Sequence, residues 1–323
     1  MGKVTDSGLG IERQKSINAY FERSAAYWKE VYESGDVWST IYKERRSVVL
    51  GLVQQLHVST EWPILEIGCG AGLTSIALAH SGYAVEAIDS VDVMIRLTQQ
   101  SAEDAGVGHR VTTSIGDVHD LAFADDMFSL VLMIGVAPWL HSLDKSLREV
   151  ARVLRPEGYL IATADNWWRA DNWIDPLHFP PLRPIRRGVR DVLERLSLPK
   201  PARAPRNHHH SIRKFDAFLA AAGLEKVEGT TVGFGPFSFL GRNLLRHSSG
   251  VRVHHWLQKL ANRGVPVVRS AGTQYIVLAR KVRTPLDKRA GSRNAHNTTK
   301  MIFGTKSMEP TVLKGSGFRQ ATS

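Results

Sequence analysis

A glycine-rich stretch at residues 63–79 is the part of the sequence best suited to hold a ligand. It reads PILEIGCGAGLTSIALA, so a short apolar run precedes three glycines and helix-forming residues follow them. This order predicts a strand, a tight turn and the N-terminus of a helix. Gly68, Gly70 and Gly72 allow the backbone to turn sharply and to approach a ligand closely, where a Cβ atom would clash.

The spacing of these glycines separates two kinds of nucleotide cofactor. A dinucleotide fingerprint G-x-G-x-x-G/A counted from Gly68 requires a small residue at position 73, where this chain has Leu73. The chain has G-x-G-x-G instead, with Glu66 two residues before the first glycine. A carboxylate beside the loop favours a zwitterionic, sulfonium-bearing cofactor over an anionic pyrophosphate.

Acidic residues follow the next two predicted strands and extend the candidate site. Asp89 stands at the end of the second strand and follows Gly68 by 21 residues. At this spacing an acid reaches the hydroxyls of a ribose, and a carboxylate accepts two hydrogen bonds from such a diol. Asp117 stands at the end of the third strand. Because ligands of open α/β sheets bind beyond the carboxyl ends of the strands, we expect these groups to meet there.

The segment ILEIGCGAG resembles the first motif of the class I S-adenosylmethionine-dependent methyltransferases. LREVARVLRPEGYLIAT resembles the helix, turn and strand that follow the fourth strand of that family, although Glu157-Gly158 stands where a Gly-Gly pair is common. Residues 60–165 look most like the type found in ubiquinone and menaquinone biosynthesis. The resemblance implies that S-adenosylmethionine donates a methyl group and leaves as S-adenosylhomocysteine.

The family's cofactor contacts can be carried over by position. The resemblance implies that an acid like Asp117 holds the adenine amino group, that the backbone N–H of Val118 meets a ring nitrogen, and that Ile134 lines the methionyl part. The full set of expected cofactor-binding residues is Glu66, Gly68, Cys69, Gly70, Gly72, Asp89, Ser90, Asp117, Val118 and Ile134.

Apolar runs alternate with helical patterns along the middle of the chain, which predicts βαβ units and a parallel sheet. Together with the resemblance, this predicts an α/β fold with a Rossmann-like, seven-stranded, mostly parallel sheet and helices on both faces. An N-terminal helical lid and an insertion after strand five complete the prediction. The predicted strands are 63–67, 84–88, 111–115, 128–134, 159–164, 224–232 and 274–280.

Three segments are predicted along the chain. Residues 1–58 form the lid, with a first helix at 12–31 that breaks near Ser24 and a second helix at 39–56. Residues 59–283 form the methyltransferase domain, with substrate-site insertions at 165–215 and 233–270. Basic helices are expected at 185–196 and 251–263. Residues 284–323 are basic and poor in apolar side chains, so we expect this tail not to fold alone.

The net charge of +11 is localised. Residues 165–214 contribute +6 and residues 284–323 contribute +5, so the remainder sums to zero. This excess fits an anionic acceptor, a phosphate-bearing carrier or an anionic membrane surface. A solvated basic face that aids solubility is an equally open reading.

Methyl transfer is an in-line displacement on an activated carbon, so the protein mainly aligns the reactants and takes up a proton where necessary. We predict His141, just after the fourth strand, as the base, and no metal ion. The adjacent histidines 208–210 cannot all face one ion, so we expect them to contact substrate or to form a plain loop. Candidate substrate contacts come from the lid and the insertion: Tyr20, Tyr27, Trp139, Asp165, Asn166, Trp168 and Arg183. Packing of the lid aromatics on the sheet is the alternative.

The leading hypothesis is a methyltransferase that acts on an oxygen of an amphipathic, lipid-linked or aromatic small molecule. A nucleic-acid methyltransferase that uses the basic segments is one alternative, and a non-catalytic binding or scaffold protein is another.

The single cysteine, Cys69, excludes a disulfide framework, and its place in the glycine loop argues against cytosine C5-methylation. No run approaches the ~20 apolar residues of a membrane span, so we expect a cytoplasmic protein, peripheral at a membrane if its acceptor is presented there. The acceptor atom and the oligomeric state stay open.

Overall fold

The strands of the protein form one seven-stranded sheet in the computed structural model, which describes residues 6–176, 179–182, 185, 208–240 and 242–282. The strand order is β3-β2-β1-β4-β5-β9-β6, and a separate hairpin joins β7 and β8. The strands are β1 (Ile64–Ile67), β2 (Val85–Asp89), β3 (Val111–Ile115), β4 (Phe128–Met133), β5 (Leu154–Asp165), β6 (Leu224–Val232), β7 (Ser238–Phe239), β8 (Arg242–Asn243) and β9 (Gln274–Lys281).

The first five strands are parallel, and β9 runs antiparallel to its neighbours β5 and β6. Strand order therefore reverses between β1 and β4, which places a crevice beyond the carboxyl ends of these two strands. The predicted Rossmann-like, seven-stranded and mostly parallel sheet is confirmed.

Helices cover both faces of the sheet, as predicted. One apolar core packs α6 and α8 against the sheet, and the other packs α3, α4 and α5 against the opposite face. The helices are α1 (Asp6–Arg23), α2 (Ala25–Glu30), α3 (Val37–Leu56), α4 (Leu73–His80), α5 (Asp92–Asp104), α6 (Leu143–Val153), α7 (Asp171–Ile174), α8 (Ile212–Ala221) and α9 (His247–Asn262).

Local chemistry explains where several helices begin and end. The N-terminal helical region breaks at Ser24, whose hydroxyl donates a hydrogen bond to the carbonyl of Tyr20 at 2.8 Å. Asp36 caps α3 by accepting the N–H of Ser39 at 2.7 Å. Side-chain caps of this kind satisfy backbone donors that the first turn of a helix leaves unpaired. The position of α3 matters because this helix reaches the site described below.

The structure differs from the prediction at the start of β5 and in the insertions. β5 begins at Leu154 rather than at residue 159, because residues 154–158 pair irregularly with β4 and Glu157 takes a left-handed φ of 66°. The region 233–270 forms the β7–β8 hairpin and α9. Apart from residue 185, the predicted basic helix 185–196 lies outside the described residues.

Contacts divide the chain into two units, Met1–Arg283 and Thr284–Ser323, and the second lies outside the described residues. The predicted boundaries of lid, domain and tail stay a prediction. Among the residues described, no helix has the length and apolar character that crossing a bilayer requires.

Candidate cofactor and acceptor site

A cavity of about 510 Å³ opens beyond the carboxyl ends of the central strands. Its walls come from the glycine loop after β1 and from the turns after β2, β3 and β4. Side chains of α1, α2 and α3 close it on the other side. The cavity therefore joins the region where strand order reverses to a surface made by the N-terminal helices.

The glycine loop has the backbone that only glycine adopts easily. Gly68, Gly70 and Gly72 have φ values of 71°, 58° and 80°. A Cβ atom on Gly68 would clash with Cγ2 of Val136 in the turn after β4. The N–H groups of Gly68 and Cys69 both donate to the carbonyl of Ile88 in β2, at 2.7 and 3.1 Å. These contacts hold the loop close to the two neighbouring strand ends.

Two buried carboxyl groups flank this loop. Glu66 is 3% exposed and accepts a hydrogen bond from the hydroxyl of Ser75. Burial raises the pKa of Glu66 to about 7. Asp89 accepts the N–H of Gly70 at 3.1 Å with Oδ2 and the N–H of Val91 at 3.0 Å with Oδ1. Each oxygen of Asp89 keeps a second lone pair, so this carboxylate can still accept hydrogen bonds from a diol.

Asp117 is held by a histidine that sequence reasoning missed. Oδ1 of Asp117 accepts the backbone N–H of His119 at 2.9 Å and lies 2.7 Å from the ring Nδ1 of His119. Nε2 of the same ring accepts the N–H of Ser142 at 3.4 Å, so Nδ1 carries the proton. The hydrogen bond from His119 lowers the pKa of Asp117 to about 2. The D-x-H spacing was the only sequence signal of this contact.

Arg45 of α3 brings a buried positive charge into the cavity and was also missed. Its side chain is 7% exposed, donates to Oε1 of Gln274 at 3.3 Å and lies 4.8 Å above the ring of Tyr42. Its guanidinium lies next to Gly135, at the end of β4. Within the described part of the chain no carboxylate pairs with Arg45, and its Nε has no hydrogen-bond partner. A buried cation of this kind favours an anionic ligand.

The other end of the cavity is aromatic. Tyr42 lies at the centre of a cluster whose ring centroids are 5.9 Å (Trp28), 6.2 Å (Tyr32) and 5.9 Å (Trp38) from its own. Polar groups also line this region, namely Asp165, Arg169, Asn172 and His209. This end can therefore hold a flat or apolar molecule and contact a polar group on it.

His209 faces the cavity because the histidine segment runs in an extended conformation beside the end of β5. His210 forms a parallel bridge with Asn166, and the N–H of His208 donates to the carbonyl of Pro138 at 2.6 Å. The rings of His208 and His210 stack 6.2 Å apart, whereas Nδ1 of His209 lies 3.9 Å from Oδ2 of Asp165. Alternate residues of an extended segment point to opposite sides, which separates His209 from its neighbours.

Comparisons with known proteins agree with this geometry. A family model described as a methyltransferase domain matches residues 65–162, from β1 to β5. Residues 65–162 of this chain are thus similar to a methyltransferase domain. The chain is 32% identical to the uncharacterized methyltransferase YodH of Bacillus subtilis over 110 residues, which cover 34% of this chain and 46% of YodH. The predicted family resemblance is confirmed.

More distant comparisons cover more of the chain. A ubiquinone biosynthesis O-methyltransferase of Rhizobium etli is 29% identical over 178 residues, 54% of this chain and 64% of that protein. The chain thus spans about half the length of the curated relatives it matches. The crystal structure of a putative sarcosine dimethylglycine methyltransferase from Galdieria sulphuraria superimposes with a TM-score of 0.51 at 15% identity, over 80% of this chain and 98% of that one. At this identity the likeness shows the fold alone.

The cavity brings together nine of the ten predicted cofactor residues. The exception is Gly72, which is the N-cap of α4. Trp139 and Asp165, two of the predicted substrate contacts, also line the cavity. The nine are Glu66, Gly68, Cys69, Gly70, Asp89, Ser90, Asp117, Val118 and Ile134.

His141, predicted as the base, is not on the cavity wall. Its exposed ring stacks on that of His119, the residue that holds Asp117, with the centroids 3.6 Å apart. The ring therefore supports the Asp117 region instead of facing the aromatic end. The prediction rested on the position of His141 just after β4 and on the resemblance, neither of which fixes the direction of its ring.

Several predicted substrate contacts also lie away from the cavity wall. Tyr20 stacks on Trp139 at 5.9 Å, and Tyr27 is largely exposed. Trp168 is exposed and stacks on Trp173 at 5.5 Å. Asn166 is fully buried and donates to the carbonyls of Ser270 and Gly272, so it fixes the end of β5. Arg183 lies outside the described residues. In the described part of the chain, no cluster of side chains has the make-up of a metal site.

Proposed function

We propose that the protein transfers a methyl group from S-adenosylmethionine to an oxygen of a small acceptor with an aromatic or apolar body. One observation carries the proposal: a single cavity connects the predicted cofactor residues with an aromatic end where His209 faces Asp165. An acceptor at that end and a cofactor at the glycine loop share the same enclosed space. Such an arrangement meets the first requirement of an in-line displacement, which is alignment of the reactants.

The residues present fit the cofactor. When bound, S-adenosylmethionine supplies a methyl group on a positively charged sulfur. Asp89 offers free lone pairs for the ribose hydroxyls, and Asp117, held ionised by His119, offers Oδ2 to the adenine amino group. Arg45 offers its guanidinium to the carboxylate of the methionyl part, and Glu66 offers a carboxylate to the ammonium group.

His209 is the group best placed to take the acceptor proton. Nδ1 of its ring lies 3.9 Å from Oδ2 of Asp165, and we assign Nε2 as the ring atom that meets the acceptor hydroxyl. In this role, Nε2 accepts the proton while the carboxylate of Asp165 stabilises the imidazolium that forms. Asp165 is thus a positioning residue, and His209 is the residue that touches the acceptor.

The walls of the aromatic end indicate the class of acceptor. Trp28, Trp38 and Tyr42 present ring faces and edges, which suit an aromatic or isoprenoid body. Arg169 forms an ion pair with Asp171 at 3.0 Å and lines the same end, where it can also meet an anionic substituent. The Rhizobium etli relative is an O-methyltransferase, which supports oxygen as the acceptor atom. A lipid-linked or membrane-presented acceptor and a cytoplasmic location stay proposals.

Calorimetric titration with S-adenosylhomocysteine tests the cofactor site. We expect micromolar binding to the wild type and at least about tenfold weaker binding to Asp89→Ala, because a charge-assisted hydrogen bond is removed. Arg45→Gln should weaken binding by about 10- to 100-fold, since it removes the only charged partner proposed for the ligand carboxylate. Absence of binding to the wild type would overturn the proposal and favour the non-catalytic alternative.

Methyl transfer to a panel of phenols and hydroquinones tests the role of His209. We expect His209→Gln to bind S-adenosylhomocysteine as the wild type does but to lose about 10²- to 10⁴-fold in rate, as for loss of a general base. His141→Gln is the matched control and, at saturating S-adenosylmethionine, should keep the wild-type rate. A loss of rate in the His141 variant alone would restore the original prediction and contradict this one.

A further inference from the structure

A long acid-free stretch precedes and includes the last strand. Residues 229–281 contain eight Lys or Arg and no Asp or Glu. Six of the eight come before β9 and are exposed: Arg242, Arg246, Arg252, Lys259, Arg263 and Arg269. Within the described residues none of these six pairs with a carboxylate. Ordinary soluble surfaces mix charges of both signs, so this surface is unusual.

The exposed side of α9 combines these charges with an aromatic side chain. Arg252, Trp256 and Lys259 of α9 and Arg263, its C-cap, follow one another at intervals of four, three and four residues, which places them on one face. We call these four residues the outer face of α9. Trp256 is 61% exposed, although a side chain as large as tryptophan is on average mostly buried.

Large apolar side chains are also exposed in the segments just before and just after α9 in the sequence. Leu240 and Leu244, in and beside the β7–β8 hairpin, are 57% and 56% exposed. Val267, in the turn after α9, is 81% exposed. We call Leu240, Leu244 and Val267 the flanking apolar tips. Their aliphatic side chains are apolar groups exposed to water, and they have no ring that could stack on a nucleic-acid base.

We propose that the outer face of α9, with the flanking apolar tips, docks on a bilayer that contains anionic phospholipids. Lys and Arg near such a surface are attracted by its negative potential, and tryptophan prefers the headgroup level. Leucine and valine at the tips can enter the acyl boundary while the long basic stems reach the headgroups. A single-stranded nucleic acid would satisfy the charges and Trp256 but would leave the aliphatic tips exposed.

The opposite side of α9 connects this surface with the cavity wall. His254 is fully buried, accepts the N–H of Phe234 at 3.1 Å and lies 3.0 Å from Oε2 of Glu44 in α3. Gly250 packs against Val37, where a Cβ atom would come within 2.8 Å of Cγ2. Because α3 also carries Tyr42 and Arg45, the proposed bilayer surface lies one helix away from the acceptor end of the cavity.

Vesicle co-sedimentation of the full chain, without cofactor, tests the proposal. The probes are vesicles of phosphatidylcholine alone and of phosphatidylcholine mixed with phosphatidylglycerol. We expect binding only to the anionic vesicles. Arg252→Gln/Lys259→Gln should bind about 30-fold more weakly, since each cation near an anionic surface contributes about fivefold. Trp256→Ala should bind at least about tenfold more weakly through loss of apolar contact.

Matched controls remove the same groups elsewhere. Arg96→Gln/Arg148→Gln also loses two exposed cations, and Trp62→Ala also loses a partly exposed tryptophan, at the start of β1. These variants should bind anionic vesicles as the wild type does. The cations of residues 284–323 are present in every variant and cancel in the comparison.

Three results would overturn the proposal. Equal binding to both kinds of vesicle would show that anionic phospholipids are not recognised. Wild-type affinity of the α9 variants for anionic vesicles would show that the outer face of α9 does not bind them. Loss of affinity for a single-stranded RNA oligonucleotide in the α9 variants, with vesicle binding unchanged, would assign the face to nucleic acid. Thermal unfolding of each variant shows that it is folded. None of these readouts depends on methyl transfer, so they stand apart from the proposed function.

Discussion

The fold gives the carboxyl group of Glu66 an unusually high pKa. The residue must lie in the buried strand β1 to reach the cavity, and its burial disfavours the ionised form. Its partner in the described structure is the neutral hydroxyl of Ser75, which compensates only in part. A positively charged ligand group in the cavity would favour the ionised form, so ligand binding and loss of a proton should be linked at this residue.

The raised pKa of Glu66 predicts a pH-dependent stability. The pKa is about 7 in the folded protein and 4.5 in the reference state, so the folded protein binds this proton more tightly. The contribution to stability is therefore fully present below about pH 4.5 and is lost as the pH rises to about 7, by roughly 3 kcal/mol. Glu66→Gln carries no such proton. We therefore compare the free energy of unfolding of Glu66→Gln with that of the wild type. The difference, variant minus wild type, should be about 3 kcal/mol larger at about pH 8 than at about pH 4.

Urea unfolding of both proteins across this pH range measures the difference, without ligand. Asp117→Asn serves as a contrast, because the pKa of Asp117 is lowered to about 2 and its titration falls below this range. A difference between Glu66→Gln and wild type that stays constant with pH would show that the pKa of Glu66 is the same in the folded and unfolded states, and would contradict the prediction.

Residues close together in the chain were predictable, whereas residues brought together by the fold were not. The glycine loop, Asp89 and Asp117 each lie at the end of a strand or within two residues of it, so their placement can be inferred from the order of local signals. Arg45 lies in a helix whose pattern is simply amphipathic, and it reaches the cavity only because α3 packs beside β9. His209 belongs to a segment whose direction depends on pairing with the end of β5. No spacing in the sequence encodes either contact.

At the scale of elements, α1 covers the cavity through contacts at two strand ends. The amide of Asn18 donates to the carbonyl of Ser90 at 3.0 Å and accepts the Ser90 hydroxyl at 3.1 Å. Further along the helix, the rings of Tyr20 and Phe21 contact Trp139 at 5.9 and 5.0 Å. Because Ser90 follows β2 and Trp139 follows β4, α1 spans the region between them.

These contacts predict how α1 responds to substitution and to ligand. Asn18→Ala removes both hydrogen bonds to Ser90 at a cost of about 1–2 kcal/mol, so opening of α1 should become roughly 5- to 30-fold more frequent. Amide hydrogen exchange of the helix measures this opening. Ser16→Ala, at an exposed position of the same helix, is the matched control and should leave the exchange rate unchanged. S-adenosylhomocysteine should slow exchange in the wild type.

Two outcomes would contradict this view of α1. Equal exchange in Asn18→Ala and Ser16→Ala would mean that the bonds to Ser90 do not hold the helix. Exchange that is insensitive to S-adenosylhomocysteine, under conditions where calorimetry shows binding, would mean that the helix does not close over the ligand.

The interior of the sheet was more predictable than the boundaries of its elements. The alternation of apolar and helical runs predicted seven strands, and all seven form the sheet in the expected segments. The early start of β5 was missed because Pro156 and Gly158 are turn signals, yet Leu154 already pairs with Phe128 of β4, ahead of the regular pairing that begins at Tyr159. Tertiary pairing thus overrides local preference at an edge where the chain is irregular.

At the scale of the whole molecule, the two ends of the cavity come from different parts of the chain. The family match covers residues 65–162 and includes the glycine loop, Asp89 and Asp117. The aromatic end, Arg45 and His209 come from outside that match. The family match therefore includes most of the residues proposed for the cofactor, whereas the residues proposed for the acceptor lie outside residues 65–162. Experiments on the acceptor should concentrate on those residues.

A ligand that touches both the sheet and the N-terminal helices should stabilise the molecule as a whole. A ligand at about 100 times its dissociation constant adds roughly 2.7 kcal/mol to the free energy of unfolding. For a unit of this size, that corresponds to a rise of about 5 °C in the unfolding midpoint. Differential scanning fluorimetry with S-adenosylhomocysteine measures the shift. Adenosine and homocysteine added together are the matched control, because they carry the same groups without the covalent link.

The shift of the unfolding midpoint in Arg45→Gln tests whether α3 takes part in binding S-adenosylhomocysteine. If Arg45 joins α3 to the ligand carboxylate, the variant should show a smaller shift at the same ligand concentration, because its dissociation constant is larger. Ligand concentration can then be raised until the wild-type shift returns. Equal shifts in both proteins at low ligand would mean that the carboxylate is held elsewhere. In that case the buried guanidinium of Arg45 would have to serve the acceptor instead of the cofactor.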